Sequence, residues 1–212
     1  MPLELHPMVE SDLPDFVRIQ FAAFKGGMAS KLTPKPRSPQ KEQKMVEKHI
    51  KSFKEDPDAH YLKVIDTDLG GKIISCAKWR INLKERTEEE IQVQLPKPGK
   101  DEEGNQAAID FMNYLTESRV EWMGGKPFYF LHILITDPDH HRRGAGGMLV
   151  RWGVAQADEA QLPTYLEASD AGRPLYERFG FYQVKETIFD LSKYGGEGTE
   201  RNTAMLRDPL PK

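Results

Sequence analysis

Residues Asp137-Pro-Asp-His-His-Arg-Arg-Gly-Ala-Gly-Gly-Met-Leu149 bring two arginines and three glycines together directly after the apolar run 128–135. An amphipathic helical pattern follows at once. A strand, a glycine-rich turn and a helix N-terminus form a phosphate holder. The turn aims backbone N–H groups at one spot, and the helix adds the positive end of its dipole. Gly144, Gly146 and Gly147 allow a ligand close to the backbone, with no Cβ in the way. Arg142 and Arg143 can add charge beside it.

Two familiar glycine loops do not fit. A P-loop requires Lys and Ser or Thr after its last glycine, and Gly147 is followed by Met148 and Leu149. The dinucleotide pattern requires a third glycine where Leu149 stands. The segment His141-Arg142-Arg143-Gly144-Ala145-Gly146 instead resembles the acyl-CoA loop of the GCN5-related N-acetyltransferase (GNAT) superfamily, [Q/R]-x-x-G-x-[G/A], with His141 at the first position. The block Leu175-Tyr176-Glu177-Arg178-Phe179-Gly180-Phe181 is similar to the L-Y-x-x-x-G-F block of the same superfamily. Where members often carry Asn and Ala before that block, this chain has Ser169 and Gly172.

The resemblance implies acetyl-CoA as donor, CoA as product and an amine as acceptor. Attack by an amine needs a group to take a proton, a donor for the oxyanion and an acid for the leaving thiolate. His132 is the candidate base. It lies in the strand before the cradle, and its register resembles that of arylalkylamine N-acetyltransferases. Strand parity puts it on one face with Phe130 and Leu134. Tyr176 matches the acid of the family. Glu167 is the alternative proton acceptor, through water, or a contact for a cationic substrate.

The resemblance assigns the cofactor to His141, Arg142, Arg143, Gly144, Ala145, Gly146 and Gly147. It adds the backbone of Leu134, Ile135 and Thr136, which would pair with the pantetheine arm as a strand does. Ser169, Arg173 and Tyr176 are further cofactor contacts. The acceptor pocket is expected from the loop that runs from Phe24 to Pro39, from Trp79 and Glu167, and from the chain from Tyr194 onward. Phe21 and Tyr165 add to the aromatic supply. One cysteine and scattered histidines give no metal-ligand spacing, so no metal is expected.

These residues need elements to carry them. Alternation at 3–8 reads as a strand, and apolar spacing at Leu13, Phe16, Val17 and Phe21 as a helix. Residues 26–40 hold glycines and prolines and read as a flexible insertion. A second helix is expected at 40–54, and a hairpin at 60–66 and 72–82. Residues 84–104 are charged and read as a second flexible insertion, with a helix marked by Ala108, Phe111, Leu115 and Trp122 after it. Then come a strand at 128–136, a helix at 147–160, a strand at 163–168, a short helix at 173–179 and strands at 182–191 and 203–206. Cys76 falls in the apolar run of the third strand and reads as core. The implied fold is α+β, an α/β/α sandwich: a mixed twisted sheet of about seven strands flanked by helices, splayed between the fourth and fifth strands.

With 212 residues, one domain is expected, with its acyl-CoA core at about 128–182. Net charge is −3 with both signs mixed, which gives no footprint for nucleic acid or an anionic membrane. No run is long enough to span a bilayer, and the N-terminus is neither a signal nor a transit peptide. A single cysteine suits a reducing, cytoplasmic setting. The leading expectation is transfer of an acetyl group to a small primary amine. The alternatives are acetylation of a protein or peptide, a CoA-binding sensor without catalysis, and a phosphate module unrelated to CoA. Oligomeric state, monomer or homodimer, is left open.

Overall fold

Helix α1 (Leu13–Ala23) starts with Pro14 in its first turn and buries Leu13, Phe16, Val17 and Ile19, one face of a 3.6-residue period. The structure, a computed structural model, describes residues 2–32 and 38–212, and of Asp101 only the backbone. Residues 33–37 of the expected 26–40 insertion lie outside the described residues. Seven strands form one mixed sheet in the order β1-β2-β3-β4-β5-β7-β6. They are β1 (Leu3–Pro7), β2 (Ala59–Asp66), β3 (Lys72–Asn82), β4 (Phe128–Thr136), β5 (Thr164–Ser169), β6 (Tyr182–Asp190) and β7 (Thr199–Arg207). The remaining helices are α2 (Pro39–Glu55), α3 (Glu88–Gln94), α4 (Gln106–Trp122), α5 (Ala145–Ala160) and α6 (Arg173–Glu177). None among the described residues is long and apolar enough to cross a membrane.

The chain divides into two compact units, both discontinuous in sequence. The first comprises Met1–Lys25, Thr33–Ile81 and Phe130–Gln156. Here β1 pairs antiparallel with β2, and β2 with β3, with a register shift at Val64/Ile65. Asp66 caps the connecting turn by accepting from Asp68 N, and Gly70 at φ 66 closes it in the left-handed region. Met8, Leu13, Phe16, Ile19, Tyr61, Ile73, Cys76 and Ile135 form a core under α1. Burial pushes the Cys76 thiol far above its usual pKa, so it serves as packing. Val46 on α2 packs on Val17 and Phe21. One polar group in this core is fully used: His49 Nδ1 lies 3.0 Å from Tyr61 Oη, and Nε2 lies 3.1 Å from Gln20 Oε1.

The second unit comprises Gly26–Leu32, Asn82–Tyr129 and Ala157–Lys212. Strand β7 lies between β5 and β6, antiparallel to both. It runs from Thr199, longer than the 203–206 expected, because its exposed half pairs with β6 without apolar alternation. Helix α4 sets Phe111, Tyr114 and Leu115 against Phe189 and Met28. Helix α3 is absent from the sequence expectation, which left 84–104 structureless. Thr87 and Glu90 form a capping box there. Arg86 anchors the segment by donating to the Gly124 carbonyl and to Gln94 Oε1.

Candidate functional site

The cradle belongs to the first unit. Asp137 ends β4 with its N–H on the Ile74 carbonyl at 2.8 Å. Its carboxylate accepts from Arg18 Nη1 on α1 at 3.0 Å and from Asp139 N at 3.3 Å. Burial alone would push this carboxyl up, but the Arg18 guanidinium and the Asp139 amide hold it below the usual range. The exit of the strand is thus fixed before the turn begins.

Arg142 at φ 61 and Gly144 at φ 90 both occupy positive-φ backbone. Positive φ at alternate positions gathers successive N–H groups on one side of a loop, the concavity that binds anions. An arginine there is strained, which is typical of ligand-holding turns. A Cβ at Gly144 would meet nothing within 4 Å, so its backbone conformation, not space, calls for glycine. The Gly144 carbonyl accepts from Met148 N at 3.1 Å and starts α5 two residues before the expected 147. The N–H groups of Ala145, Gly146 and Gly147 precede that first helical bond and have no acceptor within the helix.

Several side chains assigned to the donor are committed elsewhere. Arg143 Nη1 bonds the buried Asp66 Oδ2 at 2.6 Å and lies 3.2 Å from His140 Nδ1. His141 folds back so that Nε2 lies 3.2 Å from the Thr136 carbonyl. Ser75 Oγ on β3 donates to the Ile135 carbonyl at 2.8 Å and also meets Thr136 Oγ1 at 2.8 Å. Since the Ile135 carbonyl and Asp137 N–H both turn to β3, the amides of Leu134 and Thr136 turn the other way.

His132 is half-buried on β4, its ring stacked on Phe130 at 5.2 Å between centroids. This is the face that strand parity predicts. Trp79 requires a correction. It is 0% exposed, donates from Nε1 to the Leu149 carbonyl at 3.2 Å, and fills the space that a Cβ on Gly153 would need. A core tryptophan that braces α5 does not line an acceptor pocket. Phe21 and Tyr165 are buried as well. Phe24, at the C-terminal cap of α1, is half-buried against the α1 core.

In the second unit, Tyr176 on α6 is buried, its ring edge-on to Phe181 at 6.0 Å. Burial pushes the phenol pKa up, so the hydroxyl keeps its proton at neutral pH. A Cβ on Gly172 would stand 3.1 Å from the ring and 3.6 Å from its hydroxyl. The glycine at this departure from the family pattern therefore leaves room at the phenol. Ser169 is exposed and its Oγ accepts from Gly172 N at 3.3 Å. Arg173 Nε is held by Glu177 Oε1 at 2.7 Å.

Glu167 also requires a correction. Its carboxylate makes a buried two-point ion pair with Arg119 of α4, Nε to Oε1 at 2.8 Å and Nη2 to Oε2 at 3.1 Å. Both oxygens are engaged by a permanent cation. A waiting base or a contact for a cationic substrate would need them free. Sequence reasoning missed Arg119, Asp66 and Ser75, whose partners are far away in the chain. Among the described residues, no group of three His, Cys, Asp or Glu side chains could hold a metal ion.

Residues 27–181 match the model of the acetyltransferase (GNAT) family. The chain belongs to that family. Among curated relatives, an uncharacterized N-acetyltransferase of Schizosaccharomyces pombe is 31% identical over 84 residues, 40% of this chain and 35% of that protein. A probable acyltransferase of Ajellomyces capsulatus is 36% identical over 45 residues, 21% of this chain and 33% of that protein. The chain thus spans about a third of the length of the curated relatives it matches. Of solved structures, arylalkylamine N-acetyltransferase 2 of Aedes aegypti aligns with a TM-score of 0.67 at 14% identity, over 99% of this chain and 100% of that one. A phosphinothricin acetyltransferase of Sinorhizobium meliloti in complex with acetyl-CoA aligns at 0.59 and 16% identity, over 99% and 89%. These two likenesses establish the fold. In this GNAT chain, the turn between β4 and α5 departs from the family pattern at His141, whose ring turns back onto the strand.

Proposed function

We propose that the protein is an acetyl-CoA-dependent N-acetyltransferase that acetylates a primary amine of a small molecule, by direct transfer with both substrates bound. The observation that carries this reading is the turn between β4 and α5. Its two positive-φ residues and the free N–H groups of the first helical turn suit a diphosphate. Bound acetyl-CoA would supply an acetyl group activated as a thioester. Ala145, Gly146 and Gly147 would hold the diphosphate, with the exposed Arg142 adding charge. The outward amides of Leu134 and Thr136 would orient the pantetheine arm, and Ile135 would fix the strand. Tyr176 Oη holds the proton assigned to the leaving thiolate, and His132 is assigned the proton of the amine. The small-amine preference rests on the register of His132 and on the fold shared with the arylalkylamine enzyme. A cytoplasmic setting belongs to the same reading.

Release of free CoA thiol from acetyl-CoA in the presence of an amine panel tests it. Arylalkylamines should support turnover, and Tyr176→Phe should lower it on the order of 10²-fold with CoA affinity unchanged. Turnover on peptides alone would move the acceptor to the protein class. CoA binding without turnover on any acceptor would leave a sensor.

A further inference from the structure

The first unit carries a set of cations that the proposed transfer does not use. Lys72 opens β3, and His140 ends the short turn that follows Asp137. Lys72 Nζ stands 3.1 Å from His140 Nε2, and Arg143 Nη1 stands 3.2 Å from His140 Nδ1. Ammonium and guanidinium nitrogens donate hydrogen bonds and cannot accept them. An imidazole has at most one lone pair to offer. It can satisfy one of these neighbours and must turn an N–H, or its charge, toward the other. The cluster therefore holds one donor more than it can accept.

Neither neighbouring carboxylate supplies the missing acceptor. Asp66 is taken by Arg143 and by Asp68 N, and Asp137 by Arg18 and Asp139 N. Asp66 is 1% exposed, so it fixes Arg143 from beneath rather than competing at the surface. An oxyanion beside Lys72 and His140 would accept from both and resolve the contact.

We propose that Lys72, His140 and Arg143 form a second anion subsite beside the cradle, which receives the ribose 3′-phosphate of the acyl donor. This rests on the reading of the cradle as a CoA site. CoA carries a diphosphate, which the α5 amides would occupy, and one further phosphate, a monoester on the ribose. The subsite would make the protein select CoA over dephospho-CoA, which differs only in lacking that group.

Calorimetry with CoA and dephospho-CoA tests this without reference to turnover. The wild-type protein should bind CoA about tenfold or more tightly than dephospho-CoA, the worth of one charge-assisted contact. Lys72→Ala should reduce that ratio to about threefold or less while leaving dephospho-CoA affinity in place, which also reports that the variant is folded. Lys72→Arg should keep most of the discrimination, and added salt should erode it in the wild type. A wild-type ratio near one overturns the subsite and leaves the cradle standing, as does a Lys72→Ala variant that weakens both ligands equally. Failure of either ligand to bind overturns the subsite and the proposed function together.

Discussion

Arg119→Met should destabilise the protein by about 3–5 kcal/mol, because it leaves a carboxylate buried without its cation. The side chains of Arg119 and Glu167 are only 7% and 6% exposed, and two hydrogen bonds join them. Burial opposes the charge on Arg119, and Glu167 overcomes that opposition, so the guanidinium pKa is raised. For a chain of this length the melting temperature falls about 2–4 °C per kcal/mol, which makes a drop of about 6–20 °C. The double variant Arg119→Met, Glu167→Leu removes both charges and fills the space with apolar atoms. It should lie within about 1–2 kcal/mol of wild type and well above Arg119→Met. Urea unfolding followed by far-ultraviolet circular dichroism and tryptophan fluorescence measures this, with coincident curves required. A cost for Arg119→Met below about 1 kcal/mol, as in a solvated pair, would refute the burial reasoning. Additive single costs in the double variant would refute the coupling. The same double variant addresses chemistry: folded protein with ordinary turnover leaves Glu167 a structural role, and folded protein without turnover returns it to the proton path.

Gly146→Glu should abolish CoA binding, since it sets a carboxylate against the diphosphate at the α5 N-terminus; wild-type affinity by calorimetry would remove the cradle assignment. His132→Ala should flatten the rising limb of the rate–pH profile on a given acceptor and lower the rate; superimposable profiles would place amine deprotonation elsewhere. Burial, helped by the charges of Lys78 and Lys48, lowers the His49 pKa from the usual 6.5 to about 3. The unfolded chain then takes a proton that the folded one refuses, so stability is full above about pH 6.5 and falls by up to about 1.4 kcal/mol per unit below it. His49→Gln should shrink that slope in urea unfolding between pH 7 and 4, and an equal slope in both proteins counts against it.

The cradle and the Tyr176 block are legible in the sequence because their determinants are local. Turn glycines, a helix start and the apolar run before them lie within a few residues of one another. Helix α3 carried a local signal too, in Thr87 and Glu90 at capping-box spacing. Apolar patterning does not reveal it, because α3 buries Ile91 alone and has no apolar repeat. The polar networks were illegible for a different reason. Arg119 and Glu167 are 48 residues apart, and Arg18 and Asp137 are 119 apart. Nothing in either local pattern marks them as partners. Trp79 misled because an aromatic residue on a strand reads the same whether it lines a pocket or braces a helix. Its hydrogen bond to the Leu149 carbonyl settles which it does here.

His141 and Trp79 share a trait that bears on how the donor site is built. Each reads in the sequence as a ligand contact, and each is spent on scaffold: His141 on the Thr136 carbonyl and Trp79 on the backbone of α5. The donors without a partner in their own helix are main-chain N–H groups of its first turn. A site made of main chain depends on backbone angles more than on side-chain identity. Two features then become compatible. Position 141 can depart from the family pattern, because its side chain is turned onto the Thr136 carbonyl. Positions 142 and 144 are tightly constrained, because their positive φ shapes the turn. Gly144→Ala should therefore cost CoA affinity although a Cβ there would meet open space, since the methyl group opposes the backbone angle and not a neighbour. His141→Gln, which restores the family residue, should leave CoA affinity within about twofold, under 0.5 kcal/mol. Calorimetry on both variants reads the difference directly. If His141→Gln changed affinity more than Gly144→Ala, side chains and not main chain would be holding the phosphate.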